Sequence, residues 1–244
     1  MPPRSSLTGP ASPALPHGLL TVLYDIHGNL GALEAVLADA DAHQAGAFLL
    51  GGDYALFGSQ PLETVQRLRE LDATWIRGNG ERWTCRPEEA PDDEVVQGAI
   101  GAARAALGSE TDLLAALPED CVLGGARYCH GSPVSDVRSF LPEPEEDEPE
   151  LLAGVEEPRL VFGHTHLPFR RMSGGIELVN PGSVGMPFDG DPRAAYALFH
   201  DDGTVEHRRV EYDRDAAVAQ LRESFDGPWV DTVARRLEQA RMDV

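Results

Sequence analysis

The chain has 244 residues, 42% of them hydrophobic and 25% charged, enough to bury about 70–75% of its unfolded surface in one core. Acids outnumber bases 41 to 20, and the formal charge of −21 repels phosphate backbones and anionic headgroups, so neither a nucleic-acid polymer nor a membrane surface is expected as a partner. Every basic residue is Arg, and a chain without Lys is a poor P-loop NTPase, kinase or Schiff-base enzyme.

Residues 1–18 carry Pro2, Pro3, Pro10, Pro13 and Pro16 without an apolar stretch, and are expected to form a disordered tail before a single domain over 19–244. Leu19 to Tyr24 is an apolar run predicting a buried strand, and Leu33, Val36 and Leu37 recur at helical spacing from Leu30 to about Ala45. Ala47–Leu50 predicts a second strand, Pro61–Leu71 a helix with proline placed to start it, and Ala73–Arg77 a third strand. This alternation implies parallel pairing with right-handed crossovers. Helices are expected over Glu94–Leu107 and Ser109–Leu117. A hairpin across Gly124-Gly125 then joins Cys121–Leu123 to Arg127–Cys129. Residues 142–150 (PEPEEDEPE) read as an acidic, solvated loop, or a lid, with no apolar anchor. A strand at Arg159–Phe162 follows. Further hairpins span Gly174-Gly175, between Pro168–Ser173 and Ile176–Asn180, and Asp202-Gly203, between Ala195–His200 and Thr204–Tyr212. Two helices, from Asp215 and Trp229, end the chain. The expected fold is α/β: two packed mixed β-sheets flanked by helices. Cys85, Cys121 and Cys129 have no CxxC spacing, and no run of about 18 apolar residues occurs, so a reducing cytoplasm is expected.

The chemistry lies just past the strands. The first runs into Asp25-Ile26-His27-Gly28-Asn29, the second into Gly51-Gly52-Asp53 and the third into Gly78-Asn79-Gly80. Tyr128-Cys129 delivers His130-Gly131, and the Leu160–Phe162 run delivers Gly163-His164-Thr165-His166. Ligands of open α/β sheets sit beyond the carboxyl ends of strands, so these loops point at one site. Two Asp, one Asn and four His form an oxygen-and-imidazole donor set that suits Mn²⁺, Fe or Zn²⁺ rather than Ca²⁺. The set is too large for one tetrahedral ion and about right for two ions sharing a carboxylate. Taken singly, each Asp also reads as a helix cap and Asn79 as a turn residue; jointly, caps and turns leave the histidines unexplained. Ser132 and Ser183 read as turn residues, lacking a G-x-S-x-G context. His17, His43, His200 and His207 fall outside the motifs.

The ordered series DIHGN, GGD, GN, HG and GHTH, over about Leu19 to Ser183 with Asn180-Pro181-Gly182-Ser183 as a further turn, resembles the calcineurin-like metallophosphoesterase superfamily, in particular its small bacterial and archaeal members. The resemblance implies Asp25, His27 and His166 as ligands of a first metal, and Asn79, His130 and His164 as ligands of a second. Asp53 would bridge the two, a metal-bridging water would be the nucleophile, and Asn29 and Asn79 would contact substrate. It implies a hydrolase acting on small phosphodiesters or phosphomonoesters, with nucleotides and cyclic nucleotides among the candidates. A protein Ser/Thr phosphatase and a metal-binding scaffold with little turnover are the alternatives. Two positions depart from the pattern. Gly80 stands where the family often has a His able to protonate the leaving group. Tyr54 to Gly58 lacks the Arg with which the protein-phosphatase branch grips phosphate.

Overall fold

The computed structural model describes residues 18–243. The expected tail and its His17 lie outside the described residues, apart from Gly18. Two five-stranded sheets face each other. In the first, β1 (Leu20–Leu23), β2 (Ala47–Leu50) and β3 (Ala73–Trp75) run parallel. They are connected through α1 (Leu30–Ala42) and α2 (Pro61–Leu68), the latter with proline in its first turn. After β3 come α3 (Asn79–Cys85), α4 (Glu94–Leu107) and α5 (Glu110–Ala115).

The second sheet holds β4 (Asp120–Leu123) and β5 (Ala126–Cys129), a hairpin, then α6 (Glu148–Leu151), β6 (Arg159–Val161), and the hairpin β7 (Phe169–Ser173) and β8 (Ile176–Asn180). Its strand order is β4-β5-β6-β8-β7, with β5, β6 and β8 parallel. The chain then returns: β9 (Ala194–Phe199) and β10 (Val205–Val210) add antiparallel to the free side of β1, giving the order β10-β9-β1-β2-β3. Helices α7 (Arg214–Ser224) and α8 (Pro228–Gln239) complete the described fold. No helix among the described residues is long and apolar enough to cross a membrane.

Strand alternation assigns the layers. Leu20, Val22 and Tyr24 of the first sheet meet Tyr128, Val161 and Val179 of the second in a buried cluster between the sheets. Leu23 and Leu50 face the other way, onto Leu33, Val36 and Leu37 of α1 and a larger cluster reaching α4, α7 and α8. The outer face of the second sheet is thinner: Leu160, Phe162 and Leu178 are covered by Phe140 and by Leu151 of α6. Tyr24 joins the sheets, its hydroxyl donating to the Val161 carbonyl (3.2 Å). A Cβ on Gly51 or Gly163 would lie 2.0 or 2.4 Å from its ring, so only glycine lets both ligand-bearing loops close over Tyr24.

Two expectations need correction. The segment after β3, read as a loop, is the start of helix α3, although Asn and Gly are weak helix formers. Its first turn is held by the carboxylate of Glu81, which accepts the Gly78 N–H (2.8 Å). Second, residues 142–150 are not an unanchored loop. They run into α6, where Glu148 is buried and ion-paired to Arg171, with the Ser173 hydroxyl donating to it (2.5 Å). Arg138 pairs with Asp147 and Glu150 over the top (2.9 and 2.6 Å). Residues 142–150 hold no apolar anchor of their own; the segment is fixed by this ion pair and by Leu151 at the end of α6. Removing one partner of such a pair strands the other, so Glu148→Ala should destabilise the fold by about 3 kcal/mol, read as a lowered denaturant midpoint. An unchanged midpoint would mean that Glu148 does not anchor the segment.

Candidate metal centre

Each ligand-bearing loop begins where a strand stops. Asp25 and His27 follow β1, Asp53 follows β2, Asn79 opens α3 after β3, His130 follows β5, and His164 and His166 follow β6. Asp25, His27, Asp53, His164 and His166 all adopt left-handed backbone conformations, with φ between 52° and 66°. Such conformations cost non-glycine residues about 1–3 kcal/mol each and persist only where the surroundings enforce them. The enforcement is visible: the backbone N–H groups of Asp25, His27 and Gly28 donate to Gly52, Asp53 and Tyr54, zipping the first loop to the second. The hydroxyl of the turn residue Ser183 donates to the Asp25 carbonyl (2.7 Å) and accepts from Met186 N–H.

The histidine tautomers follow from their partners. Nδ1 of His27 faces the Leu56 carbonyl (2.9 Å), Nδ1 of His130 the Gly51 carbonyl (2.9 Å), and Nδ1 of His166 the Met186 carbonyl (2.5 Å). A carbonyl only accepts, so each Nδ1 carries the proton and each Nε2 presents a bare lone pair. The Nε2 atoms of His27 and His166 stand 3.0 Å apart, lone pair against lone pair. A proton between them is disfavoured, because burial holds His27 down to about 3 and His166 well below the usual imidazole range. A cation coordinated by both removes the conflict. A second conflict lies beside it. The Asn79 amide atom facing the rings is 2.9 Å from His164 Nδ1 and 3.0 Å from His130 Nε2. With nitrogen there, the amide donates to both rings; rotated, it offers its oxygen to a cation shared with them. Burial also lowers His164, to about 3.

The carboxylates complete both groups. Asp25 Oδ2 accepts the His164 N–H (3.0 Å), while Oδ1, buried and without a hydrogen-bond partner, lies 3.6 Å from His166 Nε2 and 3.8 Å from His130 Nε2. Asp53 turns Oδ2 toward His27 Nε2 (3.9 Å) and Oδ1 toward His130 Nε2 (3.5 Å). Asp25, His27 and His166 therefore form one compact donor cluster, and Asp25, Asp53 and His130 another. Burial pushes both carboxyls up, Asp25 to about 8, a cost that a bound cation reverses. An orphaned carboxylate oxygen and opposed lone pairs, in a donor set of oxygen and imidazole nitrogen, fit a divalent transition-metal ion.

All seven expected ligands come together; Asn29 does not join them at the cleft. Its side chain caps α1 by accepting the Ala32 N–H (3.1 Å) and donates to the Gly185 carbonyl (2.9 Å), so its polar atoms are spent on the fold. Gly80 has a reason of its own. A Cβ there would sit 2.8 Å from Asp53 Oδ1, which accepts the Gly80 N–H (2.7 Å). Sequence reasoning missed Glu81. It is buried, and its carboxylate accepts the N–H groups of Asp53 (2.9 Å), Tyr54 (2.8 Å) and Gly78 (2.8 Å), fixing the loops that present Asp53 and Asn79. The available signal was an acid three residues after Gly78, at a helix N-terminus. Above the donors lies a cleft of about 340 Å³, shared by His27, Asp53, Asn79, His164 and His166 and walled by Phe57, Trp83, Met186 and Phe188.

Paired sheets with a carboxylate–imidazole cluster at their carboxyl edge define a metallophosphoesterase-type fold. The chain belongs to the calcineurin-like phosphoesterase superfamily, whose domain profile matches residues 19–203. A metallophosphoesterase structure from Sphaerobacter thermophilus superposes with a TM-score of 0.78 at 27% identity, covering 91% of this chain and 99% of that one. The Methanocaldococcus jannaschii protein MJ0912 is 29% identical over 229 residues, 83% of this chain and 91% of the relative. The Escherichia coli phosphodiesterase YfcE is 49% identical over 43 residues, 18% of this chain and 23% of its own.

The raised Asp25 has a measurable consequence. A carboxyl near 8 in the fold and about 3.9 in the unfolded chain gives stability that is full below about pH 4 and lost as pH rises to 8. The buried imidazoles act oppositely, their contribution being full above about pH 6.5 and lost as pH falls toward 3. Between pH 6.5 and 8 the folded protein loses the Asp25 proton, so chelator-treated protein should show a falling Tm across this window. Asp25→Asn should flatten the fall. A metal-free wild-type Tm constant from pH 6.5 to 8 would contradict the protonated Asp25.

Proposed function

We propose that the protein is a dinuclear-metal phosphoesterase that hydrolyses small phosphodiesters or phosphomonoesters, nucleotides and cyclic nucleotides among them. The observation that carries this is Asp53, one carboxylate whose two oxygens face two different histidine groups (3.9 and 3.5 Å). On this reading Asp25, His27 and His166 hold one ion, Asn79, His130 and His164 the other, and Asp53 touches both. When bound, two divalent ions supply Lewis acidity toward phosphoryl oxygens and a water nucleophile at neutral pH. Mn²⁺ is the expected ion, with Fe and Zn²⁺ as alternatives.

The chain's own residues do the rest. The carbonyls of Leu56, Gly51 and Met186 hold the imidazoles in the tautomer that donates a lone pair, and Glu81 fixes the loops carrying Asp53 and Asn79. Asn79 lines the cleft, which supports its contacting substrate oxygens as well as metal. A cleft of about 340 Å³ on an acidic protein favours a small ester over a charged polymer. The protein-phosphatase reading is weaker, because Tyr54 to Gly58 offers no guanidinium there. Three free thiols favour the reducing cytoplasm as the working compartment.

Chelator-stripped protein should be inactive toward p-nitrophenyl phosphate and bis(p-nitrophenyl) phosphate, and Mn²⁺ should restore turnover where Ca²⁺ does not. Asp53→Asn should lose more bound metal and more activity than any ligand assigned to one ion. Full metal content in that variant, by elemental analysis, would sink the assignment; metal-loaded protein without turnover would leave the scaffold reading.

With no side chain at Gly80, the leaving group departs with little protonation. A plot of log kcat/KM against leaving-group pKa should fall steeply, since a general acid is worth about 10²–10⁴-fold for poor leaving groups. Gly80→His should lower metal content rather than rescue alkyl esters, because its Cβ presses on Asp53. A flat plot with chemistry rate-limiting would mean that another residue supplies the proton.

A further inference from the structure

The cleft beside the donor cluster contains one cation. Arg236, on α8, lines it together with His27, Asp53, Asn79, His164 and His166, and is half-buried. Most arginines of the described fold pair with carboxylates, including Arg82 with Asp136 (2.7 Å) and Arg208 with Asp39 (3.1 Å). Arg236 has no carboxylate within 4.0 Å among the described residues. Its Nε donates to the Met242 carbonyl (3.2 Å); Asp93, which lines the same cleft and caps α4 through Oδ1 (3.0 Å to Val95 and Val96 N–H), attracts the guanidinium from beyond 4.0 Å. The helix itself is rigidly placed: Trp229, Val230, Val233 and Leu237 are buried in the helix-side core. A half-buried guanidinium with no carboxylate in contact, lining the cleft that the candidate metal ligands share, is free to take an anionic oxygen. The same cleft is lined by Phe57, Trp83 and Phe188, an aromatic lining that suits a flat ring rather than an alkyl or sugar group.

We propose that Arg236 binds an anionic phosphoryl oxygen of the substrate, and that the aromatic side chains lining the same cleft select esters carrying a planar ring, aryl or nucleobase. The inference rests on the phosphoesterase reading for its substrate class but not for its test. Arg236 lies beyond residues 19–203, so the anion contact comes from the C-terminal helix α8, whereas the aromatic lining belongs to the matched domain.

The probes are phenylphosphonate and methylphosphonate, which are not hydrolysed, titrated calorimetrically into the Mn²⁺-loaded full chain. Phenylphosphonate should bind wild type at least threefold more tightly than methylphosphonate. Arg236→Met should weaken phenylphosphonate about tenfold or more with metal content unchanged, while Arg236→Lys, which keeps the charge and guards against a folding artefact, should retain part of the affinity. For p-nitrophenyl phosphate, KM should rise in step with that loss and kcat should stay within about twofold; a structural role through the Met242 contact would lower Tm without this split. Equal phenylphosphonate affinity in wild type and Arg236→Met would overturn the role of Arg236, and equal affinity for the two phosphonates would overturn the ring selection. Either result in a protein that still turns over esters leaves the phosphoesterase reading standing. The predicted binding pattern in a protein without turnover would fail that reading and keep this one.

Discussion

Two imidazole nitrogens 3.0 Å apart, both with lone pairs directed inward, and a buried carboxylate oxygen with no donor are arrangements that a protein without a cation would avoid. They persist because the rest of the structure is organised to hold them. Five ligand residues sit in left-handed backbone conformations, and each nitrogen's direction is set by a backbone carbonyl on the far side of its ring. Removing charged groups from water is costly, and here the cost is concentrated at one point where a divalent ion would offset it.

That concentration explains the wiring around the site. Glu81 spends its carboxylate on three backbone N–H groups, a strong acceptor binding the second and third loops into one unit. Asp136, bidentate to Arg82 (2.7 Å for both bonds), ties the loop after β5 to α3. Tyr24 bridges the sheets directly beneath Asp25. Charged and polar side chains thus do at the carboxyl edge what apolar packing does between the sheets. The acidic segment before β6 follows the same logic, held by the Glu148–Arg171 pair beside the single buried apolar side chain of α6, Leu151.

The fold class, the crossover order and the three hairpins were legible in the sequence because they depend on local periodicity and turn chemistry. So was the donor set, since five strands each ending in Asp, Asn or His leave little else for those residues to do. Less legible were features that depend on a distant partner. Asn29 looked like a substrate contact, yet its amide is consumed by Ala32 and by Gly185 across the fold. Helix α3 starts on weak helix formers because Glu81 bonds to a loop nearly thirty residues earlier.

From the sequence alone came which residues gather past the strand ends: the types and spacing of Asp25, His27, Asp53, Asn79, His130, His164 and His166 are local facts. The tertiary structure decided how they act. Which imidazole nitrogen is bare depends on carbonyls supplied by other loops, the absence of a side chain at Gly80 depends on where Asp53 folds over it, and the cation in the cleft comes from a helix more than 150 residues after the last ligand of the first two loops. Lone-pair direction, desolvation and counter-charge are properties of three-dimensional neighbours, and no linear pattern records them.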